Sequence, residues 1–311
     1  MTTFVIGHKK PDLDAVVSAI ATAQFRTQRG DKGNPTAVIA DPINPETEFV
    51  FGKFGITTPK LITATDIEPE DKIILVDHNE VDQRLSNLSQ DQIIGIVDHH
   101  KFNINLNHAI KITALPLGSC TTIVYTKFRQ YQLNIDPALA KLMLCAVLSD
   151  TVGLKSGTTT DKDRYAVTDL AKVAGITDVD ALTLEIFKAK SNISNLTPEQ
   201  IVRNDYKIFE FAKKTFIGQI ETVEQGVVLD RKAELISAMQ SVKTTEGVAL
   251  IFLAISDILK INTKLILPGA DEIAVAEKAF GSKAIDNVLD IGAKLSRKKD
   301  IAPPIETALI N

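Results

Sequence analysis

Residues 93–101 read IIGIVDHHK, a short apolar run that ends in an aspartate and two adjacent histidines. A Val/Ile-rich run of this length suits a strand buried on both faces of a parallel sheet, and its polar end suits a strand terminus that faces a ligand. The whole chain has only five histidines in 311 residues, so two side by side at a strand end need an explanation.

Three other runs of the same character precede it: TFVIG at 3–7, TAVIA at 36–40 and KIILVD at 72–77. Between the runs lie the helical patterns AVVSAIATAQFRTQRG and PETEFVFGKF and the polar stretch EVDQRLSNLSQDQ. Apolar strands separated by crossovers predict a parallel sheet covered on both faces. After Pro116 the pattern becomes mostly helical, in GSCTTIVYTKFRQYQ, PALAKLMLCAVLSD, DRYAVTDLAKVA and DVDALTLEIFKAK. The polar, aperiodic SNISNLTPEQ at 191–200 marks a linker. Beyond it, KIFEFAKKTFIGQIETV, VALIFLAISDI and NTKLILPG read as strands, and RKAELISAMQSVK and EIAVAEKAF as helices. The expected fold class is therefore α/β: an N-terminal, mainly parallel sheet flanked by helices over 1–190, a linker at 191–196, and a smaller C-terminal mixed α/β domain over 197–311 with antiparallel strands.

Composition excludes several function classes. A formal net charge of −4, with 44% hydrophobic and 24% charged residues, describes an ordinary globular chain without the basic excess that a nucleic-acid backbone attracts. The start, MTTFVIGHKK, lacks an apolar signal core, and no run approaches the length of a membrane span, so a cytoplasmic location with no membrane partner is expected. Cys120 and Cys145 have no metal-knuckle spacing and read as buried small hydrophobes.

In open parallel sheets ligands bind beyond the carboxyl ends of the strands, so polar residues that end buried runs converge on one crevice. Here those residues are His8, Asp12 and Asp14 after the first run, Asp77 and His78 after the third, and Asp98, His99 and His100 after the fourth. Asp150 ends the apolar segment LMLCAVLSD. Any one aspartate is explained by a helix cap or a turn; for Asp12 and Asp14 the alternative is capping the helix that begins near Ala15. Several carboxylates held together cannot all stay ionised without compensation, and divalent cations supply it. Aspartate with neutral histidine suits manganese, cobalt, iron or zinc, and the number of ligands exceeds one tetrahedral site, which points to two metals. The GSCTT segment at 118–122 opens a helix whose free N–H groups either receive an anion or are capped by Ser119, the expected outcome.

In this order, GHKKPDLDA, VDHNE, VDHHK and LSDT resemble the motifs of the DHH phosphoesterase superfamily. The C-terminal half carries no glycine-rich GGGH string of the nuclease branch. Its LSRKKD at 295–300 and NDYK at 204–207 are similar instead to the manganese-dependent (family II) inorganic pyrophosphatases, whose second domain is of the DHHA2 type. The resemblance implies an active site in the cleft between the domains, where a metal-bridged water or hydroxide hydrolyses inorganic pyrophosphate to two orthophosphates. It implies two Mn²⁺ per subunit, with Co²⁺ as a substitute, and an additional Mg²⁺ arriving with the substrate. One metal falls to His8, Asp12 and Asp77, the other to Asp14, Asp77, His99 and Asp150, with Asp77 shared. His100, Lys207, Arg297 and Lys298 become the substrate-binding and catalytic cations, since two divalent ions against four carboxylates leave little charge for pyrophosphate. Lys299 stays unassigned, and a solvated loop is the alternative reading of the basic run. His78 and His108 fall outside the metal pattern and are expected to be structural, and Asp98 is expected to orient a histidine. A homodimer paired through the first domain and the absence of a nucleic-acid partner complete what the resemblance implies.

Overall fold

The computed structural model describes residues 1–310. The chain forms two compact units, the first spanning Met1–Lys190 and the second beginning at Ser191. In the first unit, β1 (Thr3–Ile6), α1 (Leu13–Gln28), β2 (Pro35–Ile39), α2 (Pro45–Phe54), β3 (Lys60–Leu61), β4 (Lys72–Val76), β5 (Ile93–Asp98) and β6 (Lys111–Ala114) precede four helices. These are α3 (Cys120–Gln130), α4 (Pro137–Asp150), α5 (Asp161–Ala174) and α6 (Val179–Lys190). The six strands lie in the order β3-β2-β1-β4-β5-β6, and every pairing is parallel. The chain winds outward from β1 in one direction and then returns to start again at β4, so β1 and β4 are neighbours whose connections leave in opposite directions. A crevice opens at the carboxyl end of such a switch point.

The apolar runs of the sequence are β1, β2, β4 and β5. Their alternate side chains enter two cores. Val5, Ile74, Val76 and Val97 join α1, α3, α4 and α5 in one, and Ile6, Ile73, Leu75, Ile93 and Ile96 form the other. The second core holds no α-helical residue among those described; Leu85, Leu88, Phe102, Ile104 and Leu106 cover it from loops. The polar stretch 80–92 accordingly forms only short 3₁₀ turns, at Val81–Gln83 and Gln90–Gln92. The short strands β3 and β6 escape the sequence pattern because they lie at the edges of the sheet, with exposed residues such as Leu61 and Ile112.

The second unit contains α7 (Pro198–Val202), β7 (Asp205–Glu210), β8 (Lys214–Thr222), α8 (Gln225–Leu229), α9 (Lys232–Thr245), β9 (Leu250–Asp257), β10 (Asn262–Ile266), α10 (Ala270–Phe280), β11 (Val288–Gly292) and α11 (Ala302–Ile310). Its sheet, in the order β11-β10-β9-β8-β7, is parallel only between β8 and β9. One face packs on α7 and α9, the other on α10 and α11. Ile193, within the SNISNL stretch, is buried in the first of these cores. The basic run 297–301 is no loop: Ser296 accepts a hydrogen bond from the Lys299 N–H, and one π-helical turn, Arg297–Ile301, leads into α11.

Gly7, between β1 and α1, is set by close approach. A Cβ there would lie 2.8 Å from the Ala15 Cβ and 3.0 Å from its carbonyl oxygen. Gly7→Ala is expected to push α1 off β1 and cost about 1–3 kcal/mol, as overpacking does. Urea unfolding of the metal-free chain measures it, and an unchanged midpoint would refute the packing argument.

Candidate metal centre

Asp77 is the midpoint of the site. It follows β4, is 2% exposed, and has a φ of +61°, a left-handed conformation that an aspartate adopts at modest cost. His8, after β1, places its Nε2 3.7 Å from Asp77 Oδ2 and 3.7 Å from Asp12 Oδ1. His99, after β5, places its Nε2 3.2 Å from Asp77 Oδ1 and 3.5 Å from Asp150 Oδ2. His8, Asp12 and Asp77 form one group of potential ligands, and Asp14, His99 and Asp150 form another. Asp77 thus presents one oxygen to each histidine.

The tautomers explain why these contacts call for protons or metal ions. His8 Nδ1 is 2.8 Å from the Lys9 carbonyl and His99 Nδ1 is 2.9 Å from the Leu117 carbonyl. A carbonyl only accepts, so Nδ1 carries the proton and, in the neutral ring, Nε2 is a bare lone pair. Each lone pair then faces carboxylate oxygens that are also acceptors. The buried Asp77 Oδ1 and Asp150 Oδ2 accept no hydrogen bond. Only protons or metal ions relieve such a cluster, and the nitrogen–oxygen donor set suits a borderline divalent cation.

The acidities express the same conflict. Burial, reinforced by Asp14, Asp12 and Asp98, pushes the Asp77 carboxyl well above the usual carboxylate range. Burial, with Asp14 and Asp77, pushes Asp150 up to about 9. Burial works against charge on His8 and His99, but their carboxylate neighbours overcome it and raise both.

Asp12 and Asp14 divide the roles that the sequence left open. Asp12 is the cap of α1, its Oδ1 accepting from the Ala15 N–H at 2.9 Å. Asp14 lies within α1 and reaches the start of α3, accepting from the Cys120 N–H at 2.7 Å, the Thr121 N–H at 3.0 Å and the Ser119 hydroxyl at 2.8 Å. The expectation that Ser119 caps this helix is therefore corrected: its side chain makes no cap bond, and the helix end holds the Asp14 carboxylate instead. The start of α3 thus turns its free N–H groups and partial positive charge toward this deeply buried carboxyl group.

His100 is placed differently. Its Nδ1 lies 2.9 Å from Asp98 Oδ1, and its side chain is 52% exposed. Nδ1 also comes within 3.8 Å of Asp77 Oδ1, but the bond to Asp98 occupies it as a donor. Asp98 itself is fully buried and accepts from Asn79 Nδ2 at 2.7 Å, while Arg84 donates to the Asn79 carbonyl at 2.7 Å. The histidine that Asp98 orients is thus His100. Asn79 and Arg84 carry no pattern of their own in the sequence; the one signal is that Asn79 stands two residues after Asp77 in VDHNE. His78 is buried, its Nδ1 2.8 Å from the Val76 carbonyl, and burial lowers it to about 4, so it stays neutral. His108 contacts the Ile93 carbonyl through Nε2.

In the second unit Lys207 is exposed on β7, its ammonium 5.3 Å from the Phe209 ring centre. Arg297 donates from Nη2 to Asp205 at 2.9 Å, while its buried Nε and Nη1 have no hydrogen-bond partner. Asp205 and Lys207, two apart on a strand, share a face, so NDYK and LSRKKD meet there. Lys298 is exposed on the same turn as Arg297.

One consequence concerns pH. In the metal-free chain Asp77, Asp150, His8 and His99 all hold protons more tightly folded than unfolded. Native stability therefore falls as pH rises from about 5 to 8. Chelator-treated protein should melt at lower temperature at the higher pH. Saturating Mn²⁺ should reverse that slope and release protons, seen as a buffer-dependent heat of binding. A pH-independent melting temperature in the metal-free protein would refute the assignment.

Residues 2–147 match the N-terminal domain of the DHH family, and residues 184–308 match the DHHA2 domain. A manganese-dependent inorganic pyrophosphatase of Methanocaldococcus jannaschii is 37% identical over 318 residues, covering 98% of both chains. A probable manganese-dependent inorganic pyrophosphatase of Deinococcus radiodurans is 38% identical over 308 residues, covering 97% of both. Among solved structures, a Methanococcus jannaschii protein described as a family II inorganic pyrophosphatase superposes with a TM-score of 0.64 at 36% identity over the full length of both chains. An exopolyphosphatase-related protein from Bacteroides fragilis shares the fold, with a TM-score of 0.52 at 15% identity over 99% of this chain and 92% of its own. The motifs, the two domain matches and the end-to-end identity agree: the chain belongs to the manganese-dependent, family II inorganic pyrophosphatases of the DHH superfamily.

Proposed function

We propose that the chain hydrolyses pyrophosphate to two orthophosphates at a centre of two Mn²⁺ ions, with Co²⁺ able to replace them. One ion is held by His8, Asp12 and Asp77, the other by Asp14, Asp77, His99 and Asp150. The observation that carries this reading is the pair of Nε2 lone pairs aimed at the two oxygens of one buried aspartate. When bound, the divalent pair neutralises the carboxylates and makes water acidic enough to act as a nucleophile near neutral pH.

The residues of the chain supply the rest. Attack of water oxygen on one phosphorus forms a P–O bond as the water gives up a proton, and the bridging P–O bond breaks with its electrons leaving on the second phosphate, which takes up a proton in turn. Charge therefore builds on the leaving group, and positioned donors lower the barrier. His100 has Nδ1 spent on Asp98, so Nε2 is the atom left for the substrate, and it donates to a phosphate oxygen when it carries a proton. Arg297 keeps two buried donors unspent, the fork that pairs with two phosphate oxygens. Lys207 and Lys298 add point charges for a substrate that is a tri- to tetra-anion, and Mg²⁺ accompanies it. The reading includes a cytoplasmic homodimer formed through the first unit, supported by the exposed edge strand β6, and no nucleic-acid partner.

Phosphate release from pyrophosphate with Mn²⁺, set beside a short oligonucleotide and a nucleoside monophosphate, tests the activity. Inactivity on pyrophosphate would overturn it. His99→Ala should bind one cation fewer. His100→Ala and Asp98→Asn should retain both while kcat falls, by about 10²-fold for the former and less for the latter. A metal lost from His100→Ala would defeat the division of roles. Arg297→Lys, which keeps charge but loses the fork, should reduce kcat/KM by about tenfold or more.

A further inference from the structure

At the opposite end of α1 from Asp12, a cavity of about 230 Å³ opens between α1, α3 and the β4–β6 part of the sheet. Thr22, ten residues beyond Asp12, is about 15 Å along the helix from the metal centre. Thr22, Arg26 and Arg29 recur on one stripe of α1, and Lys111 and Lys127 complete the polar lining. The one carboxylate of the lining, Asp31, lies 2.9 Å from Arg26 Nε and 3.6 Å from Arg29 Nη2. Four cations therefore face one acid.

Two further features separate this cavity from a solvated basic patch. Lys127 is half-buried on α3, and its ammonium donates to the Thr113 hydroxyl at 2.8 Å instead of to a carboxylate. Burial and the neighbouring Lys111, Arg29 and Arg26 all act to lower its pKa. Thr22 is 4% exposed, lines the cavity, and its hydroxyl has no hydrogen-bond partner. An unpartnered buried hydroxyl and a half-buried ammonium bonded to a neutral hydroxyl line the same cavity, and a ligand with acceptor oxygens satisfies both.

The shape is also prepared. Arg29 is held between aromatic rings, its guanidinium carbon 4.8 Å from the Tyr131 ring centre and 5.6 Å from that of Phe25. Gly95 on β5 presents no side chain, and a Cβ there would approach the Lys111 carbonyl at 3.3 Å, so the floor stays open. Ile74 and Val97 make that floor apolar.

We infer that this cavity is a second anion site, separate from the metal centre, that takes a small phosphate monoester: its phosphate on Lys127, Lys111, the two arginines and the Thr22 hydroxyl, its short carbon body on the apolar floor. Guanidinium forks and a surplus of positive charge favour a dianionic phosphate, and the volume exceeds what the phosphate group alone would fill.

The test is calorimetric titration of glycerol 3-phosphate, with inorganic phosphate and glycerol as comparison ligands, into the full-length manganese-loaded protein. Wild type should bind glycerol 3-phosphate saturably, inorganic phosphate more weakly, and glycerol not at all. Lys127→Gln should weaken glycerol 3-phosphate by about tenfold or more, and Thr22→Val should weaken it while leaving the melting temperature intact. Arg297→Gln should leave it unchanged, and pyrophosphate turnover by Lys127→Gln should equal wild type. Absence of saturable binding, equal affinity in Lys127→Gln, or a loss that follows Arg297 instead would overturn the site. If Lys127→Gln instead dissociates an oligomer in sedimentation, a side chain of a second copy fills the cavity and the proposal fails.

Discussion

Three carboxyl groups and two histidines crowd around the buried oxygen pair of a fourth, Asp77, and this concentration of lone pairs is the constraint to which the first unit is built. Left alone, it is relieved by protons: Asp77 and Asp150 are pushed up and both histidines are raised. The fold limits that relief by fixing several of these groups from behind. Backbone carbonyls of Lys9 and Leu117 fix the two imidazoles, and the start of α3 fixes Asp14. A cluster fixed in this way carries its electrostatic cost in the metal-free state, and a bound cation would offset it.

At the same end of the sheet, hydrogen bonding gives two adjacent histidines different free atoms. His99 and His100 are neighbours on an extended strand end, where successive side chains leave in opposite directions. A carbonyl behind His99 leaves its Nε2 free among the carboxylates, whereas Asp98 holds Nδ1 of His100 and leaves that ring half in solvent. Asn79 and Arg84 anchor Asp98 in turn. In the second unit the comparable device is an arginine given one partner among the described residues, Asp205, with buried donors kept open. Fixing part of a group and sparing the rest is common to both.

The parallel sheet was legible because β1, β2, β4 and β5 are buried on both faces and so are written as unbroken apolar runs. The edge strands β3 and β6, solvent-facing and short, leave no such trace. Neither does the cover of the second core, which comes from loop residues such as Phe102 and Leu106. The acidic and histidine-bearing strand ends were legible as a cluster because topology brings carboxyl ends together whatever the loops do. GSCTT was misread: a hydroxyl beside a helix start ordinarily caps it locally, and nothing in the sequence says that an aspartate more than a hundred residues earlier occupies those N–H groups.

By itself, the sequence determined the two-domain α/β class, the family and the candidate ligands, since burial period, strand-end chemistry and motif order are properties of the linear chain. Tertiary structure decided what each ligand does with its remaining atoms. It made Asp12 the cap and Asp14 the partner of α3, tied Asp98 to His100, left Arg297 with unspent donors, and gathered Arg26, Arg29, Lys111 and Lys127 around one cavity. The reason is physical: a hydrogen bond is fixed by distances of a fraction of an ångström between residues far apart in sequence, and only the packed fold sets those distances.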